Sequence, residues 1–207
     1  MVVFDATVLS LLLWPEARPP DDPNTGKKVT RCKERIEFLV QTLHSKRETI
    51  IIPTPVLSEV LVVTGEDGLA YVPIFQKSTT FQLAAFDTLA AIELAEINRQ
   101  ARVAGDKKSG TDAPYQKIKI DRQIVSIGKV AAAHTIYTND TSLSTFAAKA
   151  GIKTIGVHEL PLPPESAQID MMDMLAAQEP KKDEPDPDEM EDDKNEDTED
   201  VEEGPDK

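Results

Sequence analysis

The chain has 207 residues, 37 of them acidic and 23 basic, for a formal net charge of −14, enough for one domain of ordinary size and a tail. The charge is uneven: residues 179–207 hold sixteen acidic and four basic side chains, a net of −12, which leaves −2 for residues 1–178. The acidity therefore describes the tail, and the nearly neutral remainder is not barred from meeting nucleic acid. The single cysteine, Cys32, excludes an intrachain disulfide and fits a reducing compartment. The N-terminal apolar run VVFDATVLSLLLW has no basic lead and is broken by Asp5. It reads as neither a signal peptide nor a membrane span, so a cytoplasmic protein without membrane contact is expected.

Val2-Val3-Phe4 has the look of a short buried parallel strand. Asp5-Ala6-Thr7 then opens a helical stretch through Leu13. Residues 14–28 carry four prolines and no periodicity, which predicts a long loop. Residues 29–46 are amphipathic, with Cys32, Ile36, Leu39, Val40 and Leu43 on one face. Residues 49–52 form the next strand. Thr54 followed by Pro55 is a good N-cap and first-turn pair for a helix that carries Glu59 about one turn in. Residues 65–78 are ambiguous, because Pro73 weakens a continuous helix. A strand over 79–86 stops at Asp87, and residues 88–102 read as a helix with Leu89, Ile92, Leu94, Ala95 and Ile97 apolar and Gly105 past its end.

Residues 106–117 read as a polar loop. Asp121 is placed where the next helix begins, as an N-cap, ahead of Ile124, Val125, Ile127, Gly128 and Ala131. Thr135 to Thr138 is a strand ending at Asn139-Asp140. A helix over 141–150 closes at Gly151, and 153–157 is a last strand. Alternating strands and helices of these lengths imply an α/β domain over 1–160, with a central parallel sheet of about five strands between helices. Right-handed crossovers align the strand-to-helix junctions along one edge, where ligands bind in such sheets. Residues 161–178 form a linker and a candidate helix with Ile169, Met172 and Leu175 on one stripe. The acidic tail over 179–207 has almost nothing to bury and is expected to be disordered.

Four acids stand at junctions of one edge in this scheme: Asp5, Glu59, Asp121 and Asp140. Gathered carboxylates repel and raise one another's pKa values. Hard divalent cations such as Mg²⁺ or Mn²⁺ relieve that repulsion and take carboxylate oxygens and water as ligands. Asp87 ends a strand and starts a helix, so it is either a fifth ligand or a plain N-cap. Lys107, Lys108, Lys117, Lys119 and Arg122 are candidate phosphate contacts, with a solvated loop as the alternative. Aromatic residues are few, so a base-stacking platform has little support. His44, His134 and His158 lack zinc-site spacing. No glycine-rich phosphate loop occurs, and Thr7 stands where a haloacid-dehalogenase-type phosphatase needs its second Asp.

The strand into FDAT at Asp5, PTPVLSEVL around Glu59, DRQIVSIGKVAAAH from Asp121 and YTND at Asp140 together resemble PIN-domain ribonucleases, over roughly residues 1 to 158. The resemblance implies a Mg²⁺- or Mn²⁺-dependent endonuclease that hydrolyses single-stranded RNA. Asp5, Glu59, Asp121 and Asp140 match its acidic set, and Thr7, Thr138 and Asn139 match its supporting polar positions. Toxin-type members bring the further expectations of an antitoxin or other protein partner and a homodimer. The proline-rich loop, the lysine loop and the acidic tail are larger than in compact toxins of that kind. The alternative is an inactive PIN-like module that binds RNA or protein.

Overall fold

The computed structural model describes residues 1–164. The expected helix within 165–178 and the tail over 179–207 lie outside the described residues. Five strands make one sheet: β1 (Val2–Phe4), β2 (Ile50–Pro53), β3 (Phe81–Ala84), β4 (Thr135–Tyr137) and β5 (Lys153–Ile155). All pairings are parallel, in the order β3-β2-β1-β4-β5. The fold is α/β with helices on both faces, as the alternation of elements predicts. β1, β2 and β4 are buried throughout, which explains why β1 and β2 read as continuous Val, Ile and Phe runs and not as alternating ones.

The connections reverse direction between β1 and β4. From β1 the chain steps outward to β2 and β3, and from β4 it steps the opposite way to β5. Right-handed crossovers therefore put the two sets of helices on opposite faces. On one side, α1 (Ala6–Leu13) packs on α2 (Cys32–Ser45) and α3 (Thr54–Thr64). On the other, α6 (Thr88–Val103) packs on α7 (Tyr115–Val130), and α7 on α8 (Thr141–Lys149). The expected face of α2 is buried at all five positions. Two short helices, α4 (Glu66–Leu69) and α5 (Tyr71–Lys77), fill the ambiguous stretch, with Pro73 in the first turn of α5, where a missing N–H costs no helical bond. No helix among the described residues is long and apolar enough to cross a membrane.

Three local expectations are corrected. Asp121 is not an N-cap: α7 starts at Tyr115 after Pro114, so Asp121 lies inside the helix. The stretch before it is helical because Ile118 is buried one turn ahead of Asp121 and continues the face of Ile124 and Val125. Thr54 is not a cap either. Pro53 precedes α3, and Thr54 Oγ1 accepts the Phe86 N–H at 3.3 Å. Leu89 and Ile92, read as part of an apolar helix, are more than half exposed, because α6 is an outer helix whose buried residues are Ala90 and Ala101.

Gly128 sets how closely α7 lies on the sheet. A Cβ there would stand 3.3 Å from Val3 Cγ2 on β1, and near Ile136 and Ile152. Asp121 is seven residues earlier and therefore on the same face. We expect Gly128→Val to overpack this contact, costing about 1–3 kcal/mol in urea unfolding and displacing Asp121. Unchanged stability would show that α7 is not seated through this contact.

Candidate functional site

The register Phe4↔Tyr137 makes Asp5 and Thr138 neighbours at the carboxyl ends of β1 and β4. The reversal of the connections falls between these two strands, where a crevice opens in such sheets. Asp5 is only 4 % exposed. It caps α1 by accepting the Val8 N–H at 2.8 Å, and Thr138 Oγ1 donates to its other oxygen. The same hydroxyl accepts the Asp140 N–H at 2.9 Å, so one threonine ties the two acids together. Asp140 caps α8 through the Leu143 N–H at 3.0 Å. Asn139 Oδ1 accepts the Val157 N–H at 3.0 Å and anchors the turn after β5.

Asp121 reaches the same place from α7. Ser142, the second residue of α8, donates to Asp121 Oδ2 at 2.7 Å. Lys117, one turn before Asp121, places its ammonium 3.4 Å from Asp121 Oδ1 and in direct contact with Asp140 Oδ2. A single cation thus touches both carboxylates. Glu59 is exposed on α3, and its charge acts on Asp5. Asp87 is an exposed N-cap that accepts the Ala90 N–H at 2.9 Å. Thr7 is half-buried in the first turn of α1. A groove of about 680 Å³ opens beside the acids, between the loop around Gly110 to Pro114 and the residues Lys117, Asn139, Asp140 and Ser142.

The electrostatics are unequal. Burial pushes Asp5 up to about 7 against the Thr138 and Val8 hydrogen bonds, and the charges of Asp140 and Glu59 push the same way. Burial also raises Asp121; Ser142 and Lys117 oppose the rise and Asp140 adds to it. For Asp140 burial is outweighed by the Lys117 and Leu143 hydrogen bonds and the Lys117 charge, which hold it below its ordinary value. The same contacts overcome the effect of burial on Lys117 and hold its ammonium above its ordinary value. Lys117 therefore offsets one of the two charges on α7 and α8, and among the described residues no cation pairs with Asp5.

These groups suit a hard divalent ion in donor type and charge. Carboxylate and hydroxyl oxygens crowd the site, Asp5 carries a buried charge at an energetic cost, and the Lys117 ammonium occupies a position from which a cation meets two carboxylates. The spacing is looser: among the described residues no three His, Cys, Asp or Glu side chains stand close enough to hold one ion.

The basic candidates divide. Lys107 and Lys119 are exposed, and Lys108 lies 5.6 Å over the Tyr115 ring. Lys117 faces the acids. Arg122 is corrected as a surface phosphate contact. It is 6 % exposed and ties the loop before α7 in place, donating to Asn98 Oδ1 and the Lys107 carbonyl at 2.7 Å each and to Ser109 Oγ at 3.1 Å. Sequence reasoning missed the part played by Lys117, although its i, i+4 spacing to Asp121 marks an ion pair on a helix. It also missed Ser142, whose partner is known only once α7 and α8 are packed.

Asp5 makes stability pH-dependent. The unfolded chain loses this proton near 3.8, whereas the folded site keeps it to about 7. Across that window the folded state binds more protons, so stability falls as pH rises. In EDTA at pH 8, Asp5→Asn, which can still cap α1, is expected to be more stable than wild type by roughly 2–4 kcal/mol. Most of that gain disappears by pH 4. An equal gain at both pH values would contradict the placement of Asp5 as a buried, uncompensated acid.

No protein-family model matches the chain, and no curated protein sequence matches it. Among solved structures it is similar to the crystal structure of VapBC2 from Rickettsia felis bound to a DNA fragment from its promoter, at 15 % identity over 75 % of this chain and 98 % of that one, with a TM-score of 0.48.

Proposed function

We propose that the carboxyl edge of this sheet is a divalent-cation-dependent nuclease site that hydrolyses single-stranded RNA. The observation that carries the proposal is the meeting of Asp5, Asp121 and Asp140 at the crevice between β1 and β4, linked through Thr138, Ser142 and Lys117. The charge of Asp140 acts on both Asp5 and Asp121, and both of those acids have raised pKa values. Such perturbed groups in a cleft mark functional sites.

In this proposal Asp121 and Asp140, the two carboxylates that one ammonium already reaches, would hold Mg²⁺ or Mn²⁺, as such ions take one or two carboxylates and keep several waters, and Asp5 and Glu59 would add negative charge beside them. A bound ion supplies a water of lowered pKa and stabilises charge on a phosphodiester oxygen. Thr138 keeps Asp5 turned toward Asp140, and Ser142 does the same for Asp121. With an ion on those carboxylates, the Lys117 ammonium would be available to a substrate phosphate. The adjoining groove, walled by Pro114 and Thr141, admits an unpaired strand. In the PIN-like reading an antitoxin or second copy serves as protein partner.

A second reading draws on the same lysine. An ammonium already bridging Asp121 and Asp140 suits a non-catalytic module whose charge is balanced without metal. One experiment separates the two. The full chain is expected to cut unpaired RNA with Mn²⁺, to stop in EDTA, and to lose at least 100-fold in rate in Asp5→Asn and Asp121→Asn, the scale on which about 3 kcal/mol of transition-state stabilisation acts. RNA binding without metal-dependent cleavage would favour the non-catalytic module, and full activity in either variant would end the nuclease assignment.

A further inference from the structure

A second concavity lies on the far side of α7 from the acids. It has a volume of about 390 Å³ and is framed by the C-terminal half of α6 and the N-terminal half of α7. This is at the small end of the roughly 300–1,000 Å³ typical of small-molecule sites. Leu94, Ala101 and Ile118 supply apolar lining, and Tyr115, 54 % exposed, supplies an aromatic ring. Arg102, Lys107 and Lys119 stand on its border. All three are exposed, and none has an ion-pair partner among the described residues.

Arg122 adds charge from behind. Its hydrogen bonds go to a side-chain amide, a carbonyl and a hydroxyl, all neutral. Its Nε is buried with no partner. The Phe146 ring, 5.1 Å from the guanidinium, eases part of the cost, and the charge of the exposed Asp106 also acts on it. A buried cation without a contacting carboxylate is expensive, and it leaves the pocket positive. Two carboxylates of α6 are engaged elsewhere, Glu96 with Arg99 and Glu93 with Lys129.

We propose that this pocket binds one nucleotide unit of a single strand, with the base against Tyr115 and the apolar lining and the phosphate against Arg102, Lys107 and Lys119. Base–aromatic stacking is worth about 1–3 kcal/mol and tolerates any base. Lysine and arginine contacts to phosphate add a salt-dependent increment. The choice of a strand over a free nucleotide rests on the nuclease reading above. Geometry supports that choice, because Ile118 and Arg122 are the immediate chain neighbours of Lys117 and Asp121, so α7 is a wall shared by the pocket and the acids. A strand held in the pocket passes over α7 into the groove.

The test uses the full chain in EDTA, so that binding is read without cleavage. Adenosine 5′-monophosphate and an unstructured octa-adenylate are titrated by calorimetry, with amide shifts mapped on isotope-labelled protein. The expected result is that both bind, the octamer at least tenfold tighter, with shifts at Leu94, Tyr115 and Ile118. Arg102→Glu and Lys119→Glu, both at exposed positions, weaken each ligand at least tenfold, and the same charge reversal at the exposed Lys46 after α2, away from both sites, leaves binding unchanged. No shifts at those residues, or affinities unaffected by either charge reversal, would overturn the pocket assignment. An octamer that binds no tighter than the mononucleotide would overturn the strand reading. Failure of the nuclease reading appears separately, as cleavage retained in Asp5→Asn while pocket binding persists.

Discussion

Parallel pairing of β1 with β4 is the constraint on which the site depends. It sets Phe4 against Tyr137, so the next residue on each strand, Asp5 and Thr138, must meet. The connections reverse between these strands, so no crossover covers the ends and a crevice is left. Both acids that follow the strands are helix caps. That local role explains their backbone geometry, but not why Asp5 is nearly inaccessible beside other carboxylates. An exposed cap would hold its helix equally well.

The energetics follow from how the negative charge is shared. Lys117 balances Asp121 and Asp140, and the two carboxylates in turn hold its ammonium. Asp5 receives hydrogen bonds but no cation, and its carboxyl keeps a proton to about 7. The site thus keeps an excess of negative charge: two carboxylates share one ammonium, and Asp5 pairs with no cation among the described residues. Arg122, the residue after Asp121, carries the opposite imbalance: a buried positive charge among neutral acceptors. Helix α7 separates these two imbalances, negative on one side and positive on the other.

Much of this was legible in the chain. Asp5 and Asp140 could be placed because each closes a short apolar run and opens a helix, and a parallel sheet puts such junctions on one edge. Asp121 was assigned to the right neighbourhood for the wrong reason. The sequence pattern suggests a cap after a polar loop, yet Tyr115 to Ile120 is already helical, because the buried stripe begins at Ile118. That error also hid Lys117, which joins the acids only when it lies on the same helix as Asp121. Ser142 carries no local signal, since its partner arrives through packing of α7 on α8. Arg122 looked like one more loop cation because sequence does not reveal that its neighbours bury it. The exposed Leu89 and Ile92 show the reverse failure: periodicity identifies a helix, but not which apolar residues find a partner.

The central claim is that this edge is a cation site in which Lys117 holds the place a divalent ion takes. Anomalous diffraction from crystals of the full chain soaked in Mn²⁺ tests it most directly. The account predicts an anomalous peak in contact with Asp121 and Asp140, with the Lys117 ammonium turned away from both. Saturating Mn²⁺ that leaves Lys117 bridging the two carboxylates, with no peak at the crevice between β1 and β4, would contradict it.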